Sequence, residues 1–266
     1  MTIDPIAPEI RSEIERRLDA IERDTGARIL LAVESGSRAW GFPSPDSDYD
    51  VRFLYVRPQE RYLSLEPARD VIETPLEGLW DINGWDLRKA LHLLGKGNAV
   101  VIEWLRSPVI YREVGPTAER LRALAQRYAD WGHALRHYYG LMASQYGRDI
   151  ESRQTLKLKK YFYSIRAACA LNWLKLHGTV PPMHLQALLD GGCAPEEIRG
   201  LLSDLLVAKA TSHELGEGPR IPELDRFIES MRDWARGAGG LIPHPLDPAF
   251  TPAADALFLE ALHRYA

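Results

Sequence analysis

Apolar residues at Ile10, Ile14, Leu18 and Ile21 recur at helical spacing and predict a first helix over about residues 7–24, closed by Asp24-Thr25-Gly26. The pattern then changes. Arg28-Ile29-Leu30-Leu31-Ala32-Val33 is a short apolar run, read as a buried strand that leaves through Glu34-Ser35-Gly36-Ser37. Residues 39–47 are rich in Gly, Pro and Ser and read as a loop. Tyr49 to Val56 alternates with β-branched and aromatic residues, a second strand stopped by Pro58. Asp70-Val71-Ile72-Glu73 and Gly78-Leu79-Trp80-Asp81-Ile82 flank Thr74-Pro75-Leu76-Glu77, which predicts two further strands joined by a turn. Asp86 is placed to cap a helix carrying Leu87, Ala90, Leu91 and Leu94, and another helix starts at Asn98 and ends near Leu105.

Arg112 to Thr117 carries Gly and Pro and is taken as a boundary. Beyond it the pattern reads as helix over about 117–147, 151–177, 181–191, 195–214, 222–238 and 252–265. The predicted class is α+β: a domain of strands and helices over 1–112, followed by an all-helical domain over 113–266. No repeat or low-complexity tract interrupts this plan.

Composition adds little until it is resolved along the chain. Two cysteines, Cys169 and Cys193, exclude a disulfide framework, and no apolar run approaches the ~20 residues of a membrane helix. Met1-Thr2-Ile3-Asp4-Pro5 does not read as an export signal, so a cytoplasmic protein with no membrane partner is expected. The net charge of −4 does not announce a nucleic-acid binder. Yet residues 131–180 hold eight Lys and Arg against two acids, Asp149 and Glu151. A basic second half beside an acidic first half suits a protein that meets polyanions with one part and metals with the other.

The candidate chemistry lies between the first two strands. Gly36 lets a backbone approach phosphate without a Cβ in the way, Ser37 offers a hydroxyl, and Arg38 either contacts phosphate or pairs with Asp46 or Asp48. Asp48 and Asp50 flank Tyr49, so on a strand their side chains share one side, ~6.6 Å apart. Hard carboxylate oxygens of this kind suit divalent ions, two of which, ~3.5–4 Å apart, can clamp the attacking and leaving oxygens of a phosphoryl group. A third carboxylate is expected from a neighbouring strand. Asp81, framed by Leu79, Trp80 and Ile82, fits that place, with Glu73 as its rival. Trp40 and Phe42 either stack on a base or anchor the loop. Lys159, Lys160, Tyr163 and Arg166 recur at helical spacing, either as a solvated basic face or as cations and a ring for nucleotide. The histidines lack a paired zinc-ligand spacing.

Gly-Ser, then Asp-x-Asp on a following strand, then an apolar-flanked Asp resembles the polymerase-β-type nucleotidyltransferase superfamily. Five blocks narrow the resemblance to its predicted RNA repair pathway DNA polymerase beta family. They are Gly36-Ser37-Arg38-Ala39-Trp40-Gly41-Phe42, Ser47-Asp48-Tyr49-Asp50-Val51-Arg52, the stretch Trp80 to Lys89, Glu103 to Pro108, and Lys159 to Arg166. The resemblance covers about residues 29–175. It implies a mixed sheet with flanking helices, Mg²⁺ or Mn²⁺ on Asp48, Asp50 and Asp81, and an NTP, ATP first, on Gly36 and Ser37. With Arg38, Lys160, Tyr163 and Arg166 as further nucleotide contacts, the expected reaction moves an NMP to an acceptor hydroxyl. An RNA end is the expected acceptor, a protein hydroxyl the alternative, and a non-catalytic nucleotide sensor a third possibility. An aminoglycoside is disfavoured, because its polycation would meet a basic surface.

Overall fold

The computed structural model describes residues 6–128, 131–211, 216–238 and 246–266. In chain order the elements are α1 (Pro8–Thr25), β1 (Arg28–Glu34), α2 (Gly36–Trp40), β2 (Tyr49–Val56), β3 (Val71–Glu73), β4 (Trp80–Asp86), α3 (Leu87–Gly95), α4 (Ala99–Leu105), β5 (Ile110–Glu113) and α5 (Thr117–Tyr128). The chain continues through α6 (Trp131–Tyr146), β6 (Thr155–Lys157), α7 (Lys159–His177), α8 (Leu185–Asp190), α9 (Glu196–Thr211), β7 (Glu217–Pro219), α10 (Pro222–Gly237) and α11 (Phe250–Tyr265). Residues 129–130 of the predicted 117–147 helix and 212–214 of the 195–214 helix lie outside the described residues, as does the opening pentapeptide.

The described chain forms two compact units. The first holds residues to Ala39, Asp48–Tyr128 and Leu246–Ala266. Its sheet is five-stranded and mixed, in the order β3-β4-β2-β1-β5. β1 runs antiparallel to β2 and β5, β3 antiparallel to β4, and β2 parallel to β4. The predicted α+β class and mixed sheet are therefore found. Val51, Phe53 and Tyr55 of β2 pack with Ile29 and Ala32 of β1 and with Ile14, Leu18 and Ile21 of α1 in one buried cluster. Because side chains alternate along a strand, Asp50, Arg52 and Leu54 face the other way. Asp86 and Asn98 cap α3 and α4 as predicted, each accepting backbone N–H bonds through its side chain.

The compact units are not divided at 112/113. β5 completes the sheet edge against β1, and α5 packs on α11, where the rings of Tyr128 and Phe250 meet edge to face at 5.4 Å. Gly115 belongs to this packing, with the Tyr265 hydroxyl lying where a Cβ would project. The Gly-Pro punctuation marks a turn within one unit.

The second unit holds Trp40–Ser47 and the described part of Ala129–Pro245. Its core is built on α7, whose Phe162, Ile165, Cys169 and Leu171 are fully buried with Tyr138 and Met142 of α6 and Ile228 of α10. It is helical apart from the short antiparallel β6–β7 pair, a departure from the all-helical expectation. Thr155–Lys157 interrupts the predicted 151–177 helix because its backbone pairs with Glu217–Pro219 instead.

Candidate active site

The site grows from the parallel pairing of β2 with β4. Their register sets Asp50 beside Asp81 and Arg52 beside Asn83. Ile82 joins the buried cluster under α1, so Asp81 and Asn83 lie on the same sheet face as Asp50 and Arg52. Asp48 stands just before β2, exposed. The entry to that strand is pinned where the Tyr49 N–H donates to the Leu79 carbonyl at 2.7 Å and the Tyr49 ring stacks on Trp80 at 5.1 Å. Glu73, the rival third carboxylate, sits across β4 on β3, exposed and ion-paired with Arg69.

Gly36 opens α2 with φ +59°, a conformation that L side chains avoid. A Cβ there would fall 1.8 Å from Asp50 Oδ2. The Gly36 backbone and the Asp50 carboxylate thus touch, which explains why this turn and this acid occur together. The next residue, Ser37, is 8% exposed. The Arg38 guanidinium lies over the Tyr49 ring at 4.0 Å, and its Nε donates to the Asp48 carbonyl at 3.1 Å. Arg38 is thereby linked to the Asp48 main chain at the entry to β2.

Charge in the site is unevenly balanced. Arg52 Nη2 donates to Asp50 Oδ1 at 2.9 Å and to Asp81 Oδ2 at 2.7 Å. Asn83 Nδ2 donates to the other Asp81 oxygen at 2.6 Å. Even so, the Asp50 carboxyl is pushed up to about 6, first by burial, with Asp81 and Asp48 adding repulsion against the pull of Arg52. Beneath it lies Glu34, fully buried at the end of β1. Its Oε1 accepts the Asp50 N–H at 2.9 Å and its Oε2 the Tyr111 hydroxyl at 2.5 Å. Burial pushes Glu34 up to about 7 against these two bonds.

Glu34 gives a pH dependence whose sign is fixed. Its folded value of about 7 exceeds the ordinary 4.5, so between these values the folded state binds more protons than the unfolded state. Its stabilisation is complete below pH 4.5 and is lost as pH rises through about 7. With metal chelated, the melting temperature of Glu34→Gln is expected to gain on wild type across that window. Parallel curves for the two proteins would refute the assignment.

The predicted carboxylates come together only in part. Among the described residues, no group of three His, Cys, Asp or Glu side chains is set to hold a metal ion. Asp50 and Asp81 are joined through Arg52, and Asp48 projects to solvent. Their chemistry nonetheless fits a hard divalent cation: the donors are carboxylate oxygens, and Asp50 stays hard to ionise even with a guanidinium beside it.

The predicted residues of α7 lie in the second unit. Arg166 is 1% exposed, its guanidinium 4.2 Å from the Trp40 ring centre. It is an interior stacking residue, since a planar guanidinium can leave water over an indole face, and no part of a solvated basic face. Tyr163 sets its ring edge to face with Trp40 and Phe42. Lys160 is part exposed, its Nζ 3.5 Å from Asp149 Oδ2. Phe42 is buried and stacked on Phe162 at 5.2 Å, and the buried Lys209 donates to the Phe42 carbonyl. Trp40 and Phe42 therefore anchor the loop.

Sequence reasoning passed over Glu34, Arg52, Asn83, Tyr111 and Lys209. Two of these were visible in principle. Glu34 is a carboxylate closing an apolar run, and Arg52 shares a strand face with Asp50 at spacing two. Tyr111 and Lys209 reach their partners across 77 and 167 residues, which no local pattern reports.

With a glycine turn after β1, Asp50 on the antiparallel β2 and Asp81 in parallel register beside it, the chain is a polymerase-β-type nucleotidyltransferase by its family. The chain belongs to the RNA repair pathway DNA polymerase beta family, whose model matches residues 10–260. It is similar to the uncharacterized protein YcgL of Bacillus subtilis (strain 168), with 44% identity over 221 residues, 83% of this chain and 85% of that one. A solved nucleotidyltransferase-like protein from Exiguobacterium sibiricum 255-15 is covered over 80% of its length by 94% of this chain, at 15% identity and a TM-score of 0.32. That likeness is too remote to inform the site. Among the described residues no helix is long and apolar enough to cross a membrane.

Proposed function

We propose that the protein is a metal-dependent enzyme that moves an NMP from an NTP, ATP first, onto the hydroxyl of an RNA end and releases pyrophosphate. What supports this most is the juxtaposition of Asp50 and Asp81 with the Gly36 backbone against the Asp50 carboxylate. Asp48, Asp50 and Asp81 would hold Mg²⁺ or Mn²⁺, which when bound neutralises phosphate charge and polarises the α-phosphoryl group. The Gly36 backbone and the Ser37 hydroxyl would bind the triphosphate, and Arg38 would fix the Asp48 main chain while adding positive charge. Asp81 would take the proton from the attacking hydroxyl.

The RNA acceptor is supported by the family's description and by the excess of Lys and Arg over residues 131–180. Lys160, part exposed, would meet the nucleotide or acceptor, whereas Arg166 and Tyr163 would act through the loop they hold. A cytoplasmic location accords with Cys169 and Cys193 being free buried thiols.

The test is incubation with α-³²P-labelled NTPs, Mg²⁺ or Mn²⁺, total RNA and cell lysate. Label is expected in RNA, and RNA binding should weaken steeply with salt. Label in protein alone would move the acceptor to a protein hydroxyl. NTP binding by calorimetry with no label in either would make the chain a sensor.

A further inference from the structure

The guanidinium of Arg52 divides its hydrogen bonds between two tasks. Nη1 donates to the Asp81 carbonyl at 2.7 Å and to the Val51 carbonyl at 3.2 Å, which fixes it to the backbone of both strands. Nη2 donates at 2.9 Å to Asp50 and at 2.7 Å to Asp81, joining the two carboxylates. All three side chains are partly withdrawn from water, at 16%, 25% and 33% exposure. The group is therefore a seated cation between two acids, held by main-chain atoms that do not move with the side chains.

Each carboxylate gives Arg52 one oxygen. The second Asp81 oxygen accepts from Asn83, and the second Asp50 oxygen lies against the Gly36 turn. With the guanidinium in place the Asp50–Asp81 pair carries one net negative charge. That is little to draw a divalent ion out of its hydration shell, which Mg²⁺ surrenders reluctantly. A triphosphate at the Gly36 turn would bring several more negative charges to the same point.

We propose that Arg52 is the resident counter-ion of the Asp50–Asp81 pair and makes occupation by a divalent cation conditional on the triphosphate. The inference rests on the reading of these carboxylates as the metal site of a nucleotidyltransferase. Arg52 is here a positioning residue: it acts through the two carboxylates. It keeps them ordered, and it suppresses binding of metal alone. Metal and triphosphate then bind as a charge-matched set.

The test is calorimetric titration of Mn²⁺ into the protein alone and into protein saturated with α,β-methylene-ATP, corrected for Mn²⁺ bound by the analogue. In wild type the analogue is expected to raise Mn²⁺ affinity about tenfold or more, within the usual range of coupling between ligands. Arg52→Gln, which keeps amide donors but removes the charge, should bind Mn²⁺ alone about tenfold more tightly and lose most of the gain from the analogue. Arg52→Lys should restore much of the wild-type dependence.

Wild type also tests the proposal without any variant. Its melting temperature should rise with Mn²⁺ and analogue together, and far less with Mn²⁺ alone. Equal affinity of wild type for Mn²⁺ with and without analogue, or equal affinity of wild type and Arg52→Gln for Mn²⁺ alone, would overturn the role of Arg52 and leave the metal site standing. Absence of Mn²⁺ binding under every condition would overturn the metal-site reading and this inference with it.

Discussion

Replacing Asp48 and Asp50 together by Asn is expected to lower NMP transfer by about a thousandfold or more while the protein remains folded. Charge neutralisation at a phosphoryl group depends on carboxylate oxygens holding the ion in place, and loss of a single well-placed electrostatic group commonly costs about 10²–10³ in rate. Asn keeps the shape of Asp and removes the charge. The fold should tolerate this for a reason visible in the site. Asp50 is raised to about 6, so near neutral pH its ionised form is held at a cost, chiefly from burial. A raised carboxylate contributes stability below its unfolded value of 3.8 and loses it as pH rises through about 6. An amide avoids that loss, and Arg52 keeps its bonds to Asp81 and to two carbonyls. The melting temperature at pH 7.5 with metal chelated should therefore lie within a few degrees of wild type or above it, roughly what ~1 kcal/mol produces in a domain of this size. Single-turnover transfer from an α-labelled NTP supplies the rate. Wild-type turnover by the double variant would remove these carboxylates from the reaction.

Much of this centre could be read before any coordinates. Period-two alternation in Tyr49–Val56 put Asp50 on a strand and the apolar frame of Asp81 did the same for that residue, and both lie on strands, whereas Asp48 stands just before β2 and projects to solvent. Sheet order is another matter. That β4 pairs in parallel with β2, bringing Asp81 rather than Glu73 beside Asp50, depends on contacts between segments some thirty residues apart. Arg166 shows the opposite failure. Helical spacing correctly placed it on α7, but spacing cannot distinguish a solvated cation from one stacked on an indole, and Trp40 lies far upstream in the chain. The compact units differ from the 112/113 division for a related reason: Gly115-Pro116 has the composition of a linker, yet α11 returns more than a hundred residues later to pack beside α5.

Gly36→Ala should separate the two halves of the site. Ala at φ +59° costs roughly 1–3 kcal/mol of backbone strain, which alone would leave a folded, weakened protein. The larger effect lies in what the methyl group meets. It would stand 1.8 Å from Asp50 Oδ2, 2.6 Å from Cγ and 3.1 Å from Cβ. Rotating the carboxylate tip does not clear all three, so the whole Asp50 side chain must turn. Turning it breaks the bond from Arg52 and takes the oxygen away from the Gly36 turn. Activity should fall about a hundredfold or more, since a shift of ~1 Å at a reacting centre can cost that much. Melting temperature should drop by several degrees. Gly26→Ala supplies the control, because Gly26 has φ +66° with nothing within 4 Å of a Cβ. It carries the same backbone strain without touching a carboxylate. If Gly36→Ala and Gly26→Ala lose similar stability but only Gly36→Ala loses transfer, the function of Gly36 is to let Asp50 stand where it does. If both retain transfer, the contact between turn and carboxylate has no part in the reaction.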